Sequence, residues 1–359
     1  MKTIYMGLLF LLLSVSASYS QPFAYITNAG SDNVSVINAQ NNDVIATVPV
    51  GDRPQGITVS HDNQSVYVMN NGDDTISQIS TATNTVLDTF PVTGSTVPSR
   101  LVETPDGLFL YVTDSQQNIV IVISTATHLV VDTINVFGNP ANIAVSPDGK
   151  YVFTSNAFGN SVSIIQTSDN TVVKTIPVGD RPSGIDVSPD GRYVYVGVRF
   201  EDVVAVIDTL TQTLVRTIAL LGTGPFFGPN FLVVSPDGNF VYVSLADSGE
   251  VSIISTISNT QTALIPVGNT PFGIDVTADG NFLYVANLSD NTVSVISTRQ
   301  QRVTRTIPVG TSPFSGGIFI TNEIVEVAVP TLGQWGLIAL VGILGISGLI
   351  AIRRKSLQT

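Results

Sequence analysis

Short runs of Val, Ile and aromatic residues alternate with turn residues along most of the chain. Residues 152–191 show the pattern, with the strand-like runs VFTSN, SVSIIQ, TVVKTIPV and GIDVSPDG separated by Asn, Gly, Asp and Pro. β-Branched and aromatic residues favour strands, and Asn, Asp and Gly accept the backbone angles of tight turns. This stretch therefore predicts four short strands.

The four-strand pattern recurs seven times. One aromatic residue of each unit takes an equivalent position, with successive spacings of 42, 44, 42, 42, 47 and 42 residues: Tyr25, Tyr67, Tyr111, Phe153, Tyr195, Tyr242 and Tyr284. A β-helix coil is shorter than such a unit, and a sandwich does not repeat internally. The sequence predicts an all-β fold, a seven-bladed β-propeller of four-stranded antiparallel blades.

The first blade is predicted to lack its innermost strand. In the usual blade order the GIDVSPDG run comes first, whereas this chain enters the repeat at the aromatic run of Phe23. After the last TIPVG, the segment Gly317 to Ile320 is predicted to complete the blade begun by Phe23 to Val48. Joining the two ends in one blade would lock the ring and remove open sheet edges.

The repeat units resemble the YVTN family of propeller repeats. The resemblance rests on YITN at Tyr25, YVAN at Tyr284, TIPVG at Thr175 and GIDVSPDG at Gly184, and it covers residues 22–320. It implies the fold and says little about activity, because propellers host many unrelated functions. The motif Asn is replaced in three units, by Asp114, Val198 and Leu245.

The chain is predicted to be exported. Lys2, an apolar run over residues 6–15 and small residues at Ser18 and Ser20 are typical of a signal peptide, so residues 1–20 are expected to be removed. A buried core helix is the alternative. Residues 21–320 then form the propeller and residues 321–329 a linker.

Residues 330–359 predict a membrane-directed C-terminus. The 18 residues from Trp335 to Ile352 carry no charge, and as a helix they would extend about 27 Å, enough for one transmembrane helix. Arg353, Arg354 and Lys355 follow, so the positive-inside rule leaves the propeller outside the cell.

The order of motif, apolar helix and basic cluster resembles the IPTL-CTERM sorting signal, with VPTLGQWG in place of the commoner start. The resemblance implies processing by an exosortase-type enzyme at the cell envelope, with a permanent membrane anchor as the alternative. The matching motif residues are Pro330, Thr331, Leu332, Gly333 and Trp335.

Composition narrows the chemistry further. Residues 21–329 hold 11 Lys plus Arg and 27 Asp plus Glu, a formal charge of −16, which disfavours nucleic acid as a partner. Cysteine is absent, and the two histidines, His61 and His128, stand in turns where they are expected to be solvated. We therefore expect no haem, no metal and no other cofactor, with calcium at Asp73 and Asp74 the weaker alternative.

The function predicted from these features is a surface binding or structural module, not an enzyme. Lactonases and haem-dependent nitrite reductases are built on similar propellers, but their histidine-containing sites do not map onto this chain. A propeller enzyme of lactonase or hydrolase type with an unrecognised loop site remains the alternative. The predicted ligand is a glycan, a peptide or an envelope protein.

The ligand site is predicted where the repeat is broken near the channel rim. Large or polar residues replace glycine there in three units, and the longer fifth interval adds aromatic residues. A locally packed longer loop is the alternative. Arg53 and Arg181, both in GDRP, are expected to form salt bridges with the adjacent Asp or a neighbouring blade, with ligand contact as the alternative. The candidate ligand-binding residues are Arg100, Asn142, Arg199, Phe226, Phe227 and Phe231.

Overall fold

The computed structural model describes residues 17–20, 22–224, 228–322 and 324–327. The chain divides into two compact units, one of residues 21–322 and one of residues 1–20 with 323–359. In the second unit, β1 (Ala17–Ser20) pairs antiparallel with β30 (Ile324–Val327). The first unit is a propeller of seven blades, which confirms the predicted fold class.

Each blade is an antiparallel sheet whose strands follow one another from the channel outward. The innermost strands are β5 (Pro54–Val59), β9 (Pro98–Glu103), β13 (Pro140–Val145), β17 (Pro182–Val187), β21 (Pro229–Val234) and β25 (Pro271–Val276). The second strands are β2 (Phe23–Asn28), β6 (Ser65–Asn70), β10 (Phe109–Asp114), β14 (Tyr151–Asn156), β18 (Tyr193–Val198), β22 (Phe240–Leu245) and β26 (Phe282–Asn287).

The outer half of each blade repeats in the same way. The third strands are β3 (Asn33–Asn38), β7 (Thr75–Ser80), β11 (Ile119–Ser124), β15 (Ser161–Gln166), β19 (Val203–Asp208), β23 (Glu250–Ser255) and β27 (Thr292–Ser297). The outermost strands are β4 (Asp43–Pro49), β8 (Thr85–Pro91), β12 (Val130–Asn135), β16 (Thr171–Pro177), β20 (Thr213–Ala219), β24 (Thr260–Pro266) and β28 (Arg302–Pro308). We number the blades 1 to 7 in chain order, with β2, β3 and β4 in blade 1.

The apolar core lies between the blades. Second and third strands are almost fully buried, while outermost strands such as β16 are mostly exposed. The aromatic residue of the repeat is buried, and in several blades its tyrosine hydroxyl reaches the next blade: Tyr25 donates to Asn84 Oδ1 at 2.7 Å and Tyr111 to Asn170 Oδ1 at 2.6 Å. The repeat therefore joins neighbouring blades as well as forming each one.

The Asn that ends the second strand fastens that strand to the third. In blade 2, Asn70 Nδ2 donates to Thr75 Oγ1 at 3.0 Å and to Ser77 Oγ at 2.9 Å. In blade 6 Leu245 takes the Asn position, and the hydroxyl of Ser252, the counterpart of Ser77, is buried with no hydrogen-bond partner. Bonds to third-strand side chains are also made by Asn28, Asn156 and Asn287.

The closing segment, residues 313–321, completes blade 1 and closes the ring. Ile320 forms an antiparallel bridge with Ala24, and the Tyr25 N–H donates to the Phe319 carbonyl at 2.8 Å. Pro313 forms a second antiparallel bridge, with Asn28. The predicted closure is thus confirmed at Phe319 and Ile320.

The remaining part of the predicted closing strand pairs elsewhere. Gly317 and Ile318 lie in β29 (Gly316–Ile318), which pairs in parallel with β5 of blade 2, so their predicted pairing within blade 1 is wrong. Gly317 has a φ of 142°, and a Cβ atom there would collide with the Ile57 carbonyl. Glycine lets the backbone cross from one blade to its neighbour at this point.

The strand ends define two faces of the ring. The loop face carries the loops that join one blade to the next and the turns between second and third strands. The turn face carries the other turns of each blade. The closing segment ends on the turn face, where the Thr321 N–H donates to the Phe23 carbonyl at 2.9 Å and the Asn322 N–H to Asn63 Oδ1 at 2.8 Å.

The predicted transmembrane helix over residues 335–352 lies outside the described residues, as do the motif residues Pro330, Thr331, Leu332, Gly333 and Trp335. Among the residues that the structure describes, there is no helix long and apolar enough to cross a membrane.

Candidate functional site

One position of the innermost strand is glycine in three blades and Arg100, Asn142 or Phe231 in three others, and its geometry explains the glycines. A Cβ atom at Gly184 would lie 2.7 Å from the Phe231 Cα, and one at Gly56 would lie 2.5 Å from the Ser99 carbonyl oxygen. The neighbouring innermost strand passes against these glycines, which leaves no room for a side chain there.

Arg100 lies near the loop-face end of the channel among aromatic rings. Its guanidinium carbon is 5.3 Å from the centre of the Phe231 ring and 4.7 Å from that of Phe314. Phe314 in turn packs against Phe272, with 4.6 Å between the ring centres. These residues come from blades 3, 6 and 7 and from the closing segment, so the cluster spans the channel.

Arg100 is not on an exposed rim, because only 7% of its surface is accessible. Its Nη1 donates to the Ser99 carbonyl at 2.8 Å, and its Nε has no hydrogen-bond partner. Burial lowers the pKa of Arg100 to about 10. Phe231 is 8% exposed and Asn142 is equally buried, so three of the predicted rim residues are interior residues of the channel.

A cavity of about 80 Å³ lies in the channel beside Asn142 and Phe231. It is also lined by two carboxylates that were not predicted from the sequence, the buried Asp275 and the half-buried Asp186. Desolvation by burial raises the pKa of Asp186 to about 6 and that of Asp275 to about 7, against the opposing effect of backbone hydrogen bonds.

The two aspartates hold neighbouring innermost strands together. Asp186 Oδ2 accepts the Val234 N–H at 2.8 Å, across the junction of blades 5 and 6. Asp275 Oδ2 accepts the N–H groups of Phe319 and Ile320 at 2.8 and 2.9 Å, and so fixes the closing segment. The repeated GIDV at residues 184–187 and 273–276 was the signal for this pair.

Arg199, also predicted as a ligand contact, lies apart from the channel cluster, on the loop face of blade 5. It is half-buried, and burial lowers its pKa, with the like charge of Arg181 acting in the same direction and Asp247 opposing. Phe226 and Phe227 lie outside the described residues.

Arg181 makes a different contact from the predicted salt bridge. Its guanidinium carbon lies 4.4 Å from the centre of the Phe158 ring and 5.3 Å from that of Phe200. Neither Arg181 nor Arg53 forms an ion pair with a residue in the described ranges. The salt-bridge prediction is therefore wrong for both, and at Arg181 two aromatic rings take the place of a carboxylate.

The histidines take part in packing and turn geometry. His128 stacks on Phe90 with 4.0 Å between ring centres, and its Nδ1 lies 2.8 Å from Asp88 Oδ2, so it is not simply solvated as expected. The His61 N–H donates to Glu103 Oε2 at 2.5 Å. Within the described residues, no group of three or more metal-binding side chains is placed to hold a metal ion.

Larger open grooves lie on the turn face between blades. One of about 590 Å³ contains Asp237, Asp279 and Arg299 at the junction of blades 6 and 7. Similar grooves contain Asp148 and Asp190 between blades 4 and 5, and Asp190 and Asp237 between blades 5 and 6. Because the same turn residues line each of them, the grooves follow from the repeat and mark no special site.

Comparison with known proteins agrees with this architecture. Residues 163–265 match the family model for the seven-bladed β-propeller described as lactonase, and residues 327–354 match the IPTL-CTERM motif. No curated protein matches the chain.

Solved structures resemble the chain in fold. Hydrazine synthase of Kuenenia stuttgartiensis superposes with a TM-score of 0.70 at 22% identity over 76% of this chain and 92% of that one. A functionally unknown protein of Desulfotomaculum acetoxidans gives 0.70 at 17% identity over 82% and 99% of the two chains. The dihydro-heme d1 dehydrogenase NirN in complex with DHE gives 0.62 at 14% identity over 84% and 75%.

These similarities show the fold, since propellers of one architecture carry unrelated activities. The motif match adds what the fold does not provide, a signal for sorting. The chain is a seven-bladed β-propeller that carries an IPTL-CTERM motif, which points to an exported, cell-surface protein.

Proposed function

We propose that this protein is a binding module of the cell surface, delivered by its C-terminal sorting signal, and that it is not itself catalytic. The observation that carries the proposal is the IPTL-CTERM match over residues 327–354, in a chain whose residues 21–322 form a closed ring of blades. A sorting enzyme of the exosortase type would recognise the motif and remove the basic tail.

The occupied channel supports a binding role on the outer surface. Arg100 and Phe231 fill the loop-face end of the channel, and Asp275 is engaged by backbone N–H groups. A ligand at this end would first meet the half-buried rings of Phe272 and Phe314. Contacts with a partner are therefore expected at the exposed loops of that face, with Arg199, Phe226 and Phe227 as candidates.

Intact-mass analysis of the protein from its native envelope tests the sorting proposal. Wild-type protein at the surface should lack residues 353–359, and a variant with Pro330→Ala and Thr331→Ala should keep them and stay in the inner membrane. Glu326→Gln, just outside the matched segment, is the control and should be processed normally. Surface protein with an intact basic tail would indicate a permanent anchor instead.

A lactonase is the second candidate, because the matching family model is described by that activity. Incubation of the full-length protein with acyl lactones of different ring size tests it. We expect no ring opening above the uncatalysed rate. Turnover by wild-type protein that is lost on substitution of Asp186 or Asp275 would favour the enzyme.

A further inference from the structure

Phe158 and Phe200 take the same turn position in consecutive blades. The turn joins the second and third strands on the loop face, and each phenylalanine is its second residue. Both are exposed, by 62% and 52%. The other five blades have small or polar residues at this position: Gly30, Gly72, Gln116, Asp247 and Ser289.

Arg181 joins the two rings into one surface. It lies in the loop between blades 4 and 5, and its guanidinium packs on both Phe158 and Phe200. Its backbone has a φ of 56° and is fixed by the N–H, which donates to Asn160 Oδ1 at 3.2 Å. Since the side chain makes no ion pair with a described residue, its N–H donors remain available at the surface.

Phe137 extends the aromatic surface towards blade 3. It is 70% exposed and precedes Gly138, whose carbonyl accepts the Phe158 N–H at 3.1 Å. Three large rings thus stay in contact with water on neighbouring loops. Exposed aromatic groups of this kind mark interaction sites far more often than isolated apolar residues do.

The charges around the rings indicate the chemistry of the occupant. Asp180, Glu201 and Asp202 stand beside Arg181 in the same two loops, and Glu201 already accepts the Asp180 N–H at 2.9 Å. With a formal charge of −16 over residues 21–329, the surroundings disfavour a polyanion. An uncharged ligand with a flat apolar face and several hydroxyl groups fits the rings, the guanidinium donors and the carboxylate acceptors together.

We propose that the aromatic patch formed by Phe137, Phe158, Arg181 and Phe200 binds a neutral polysaccharide. Pyranose rings would stack their C–H faces on the phenylalanines, and their hydroxyl groups would bond to Arg181 and the adjacent carboxylates. The proposal rests on the proposed function only for its cellular location, because glycans are abundant outside the cell.

Affinity electrophoresis of the full-length protein in mild detergent tests the patch directly. Native gels would contain dextran, mannan or mixed-linkage β-glucan as neutral probes, alginate as an acidic probe and gelatin as a peptide probe. At least one neutral polysaccharide should retard the wild-type protein. A Phe158→Ala and Phe200→Ala double variant should bind that polysaccharide at least tenfold more weakly.

Leu210→Ala is the matched control, because Leu210 is an apolar residue on the turn face that is even more exposed, at 79%, and this variant should bind as the wild type does. Retardation by alginate or gelatin alone, or by none of the probes, would overturn the proposal. So would equal retardation of the double variant. Sorting is measured separately by mass, so normal processing with no glycan binding would reject the patch and leave the proposed function standing.

Discussion

Phe231 in the channel and Phe158 on the loop face both replace a smaller residue of the repeat, with opposite results. Phe231 packs in the channel with Arg100 and Phe314, whereas most of the Phe158 surface is left to water. The first replacement is explained by packing alone, and the second is not. Burial therefore distinguishes replacements that stabilise the ring from exposed replacements that a partner could contact.

The largest expected effect contrasts these two residues directly. Phe231→Ala should lower the free energy of unfolding by about 3–5 kcal/mol, because it leaves a cavity beside Arg100. Phe158→Ala should change it by no more than about 0.5 kcal/mol, as for other surface positions. Chemical denaturation of the two variants would measure both. Similar losses in the two would remove the distinction between channel and loop face.

A second prediction concerns pH and the closing segment. The folded-state pKa of Asp275 is about 7, above its ordinary value of 3.8, so the folded protein binds a proton more tightly than the unfolded chain. Stability from this group is present at low pH and is lost as the pH rises from about 4 to 7. Asp275→Asn should therefore flatten this part of the stability profile.

Denaturation midpoints at pH 4.5 and 8 would measure this flattening. Asp186→Asn is the matched control. The Asp186 carboxylate accepts one inter-strand N–H, and its pKa is raised less, to about 6. An unchanged profile in the Asp275 variant would show that the carboxyl group does not titrate in this range.

A smaller difference in stability is expected between variants of two serines at equivalent third-strand positions. Ser294→Ala should destabilise the protein by about 1–3 kcal/mol, because the amide of Asn287 loses a buried acceptor. Ser252→Ala should be neutral or stabilising, since the Ser252 hydroxyl has no partner to lose. Thermal unfolding would rank them, and the reverse order would contradict the role given to the repeat Asn.

The smallest effect compares the two GDRP loops. Arg53 and Arg181 share positive φ angles of 52° and 56°, and each N–H donates to a side chain 21 residues earlier. Asn accepts this backbone angle, so Arg→Asn isolates the loss of the side chain. Substitution at Arg181 should cost about 0.5–1 kcal/mol more than at Arg53, from the lost stacking. Equal unfolding free energies would mean that the stack adds no stability.

Much of the fold could be predicted from sequence, because the residues that recur in each repeat are those that its backbone turns require. Glycine, proline and aspartate recur at the turns. The period of the repeat therefore predicted the number of blades, and the segment after the last repeat predicted the closing strand. The crossing at Gly317 was missed, because its parallel partner Ile57 lies 260 residues earlier and no local pattern encodes that pairing.

The candidate site was harder to predict from sequence for the same reason, because its contacts join residues that are distant in sequence. Phe158 and Phe200 lie 23 residues before and 19 residues after Arg181, and only the packing of adjacent blades brings them together. Arg100 and Phe231 were identified as unusual, but their burial depends on blades across the channel. Sequence departures from the repeat identified Arg100 and Phe231 without showing that they are buried, and the aromatic patch at Phe158 and Phe200 was not predicted from sequence.

The two ends of the described ring lie on the same face. Asn322, where the described ring ends, lies on the turn face beside Asn63. The first strand of the ring, at Phe23, begins on the same side. Phe137, Phe158 and Phe200 lie on the opposite face, so neither end of the described ring stands between these rings and a ligand.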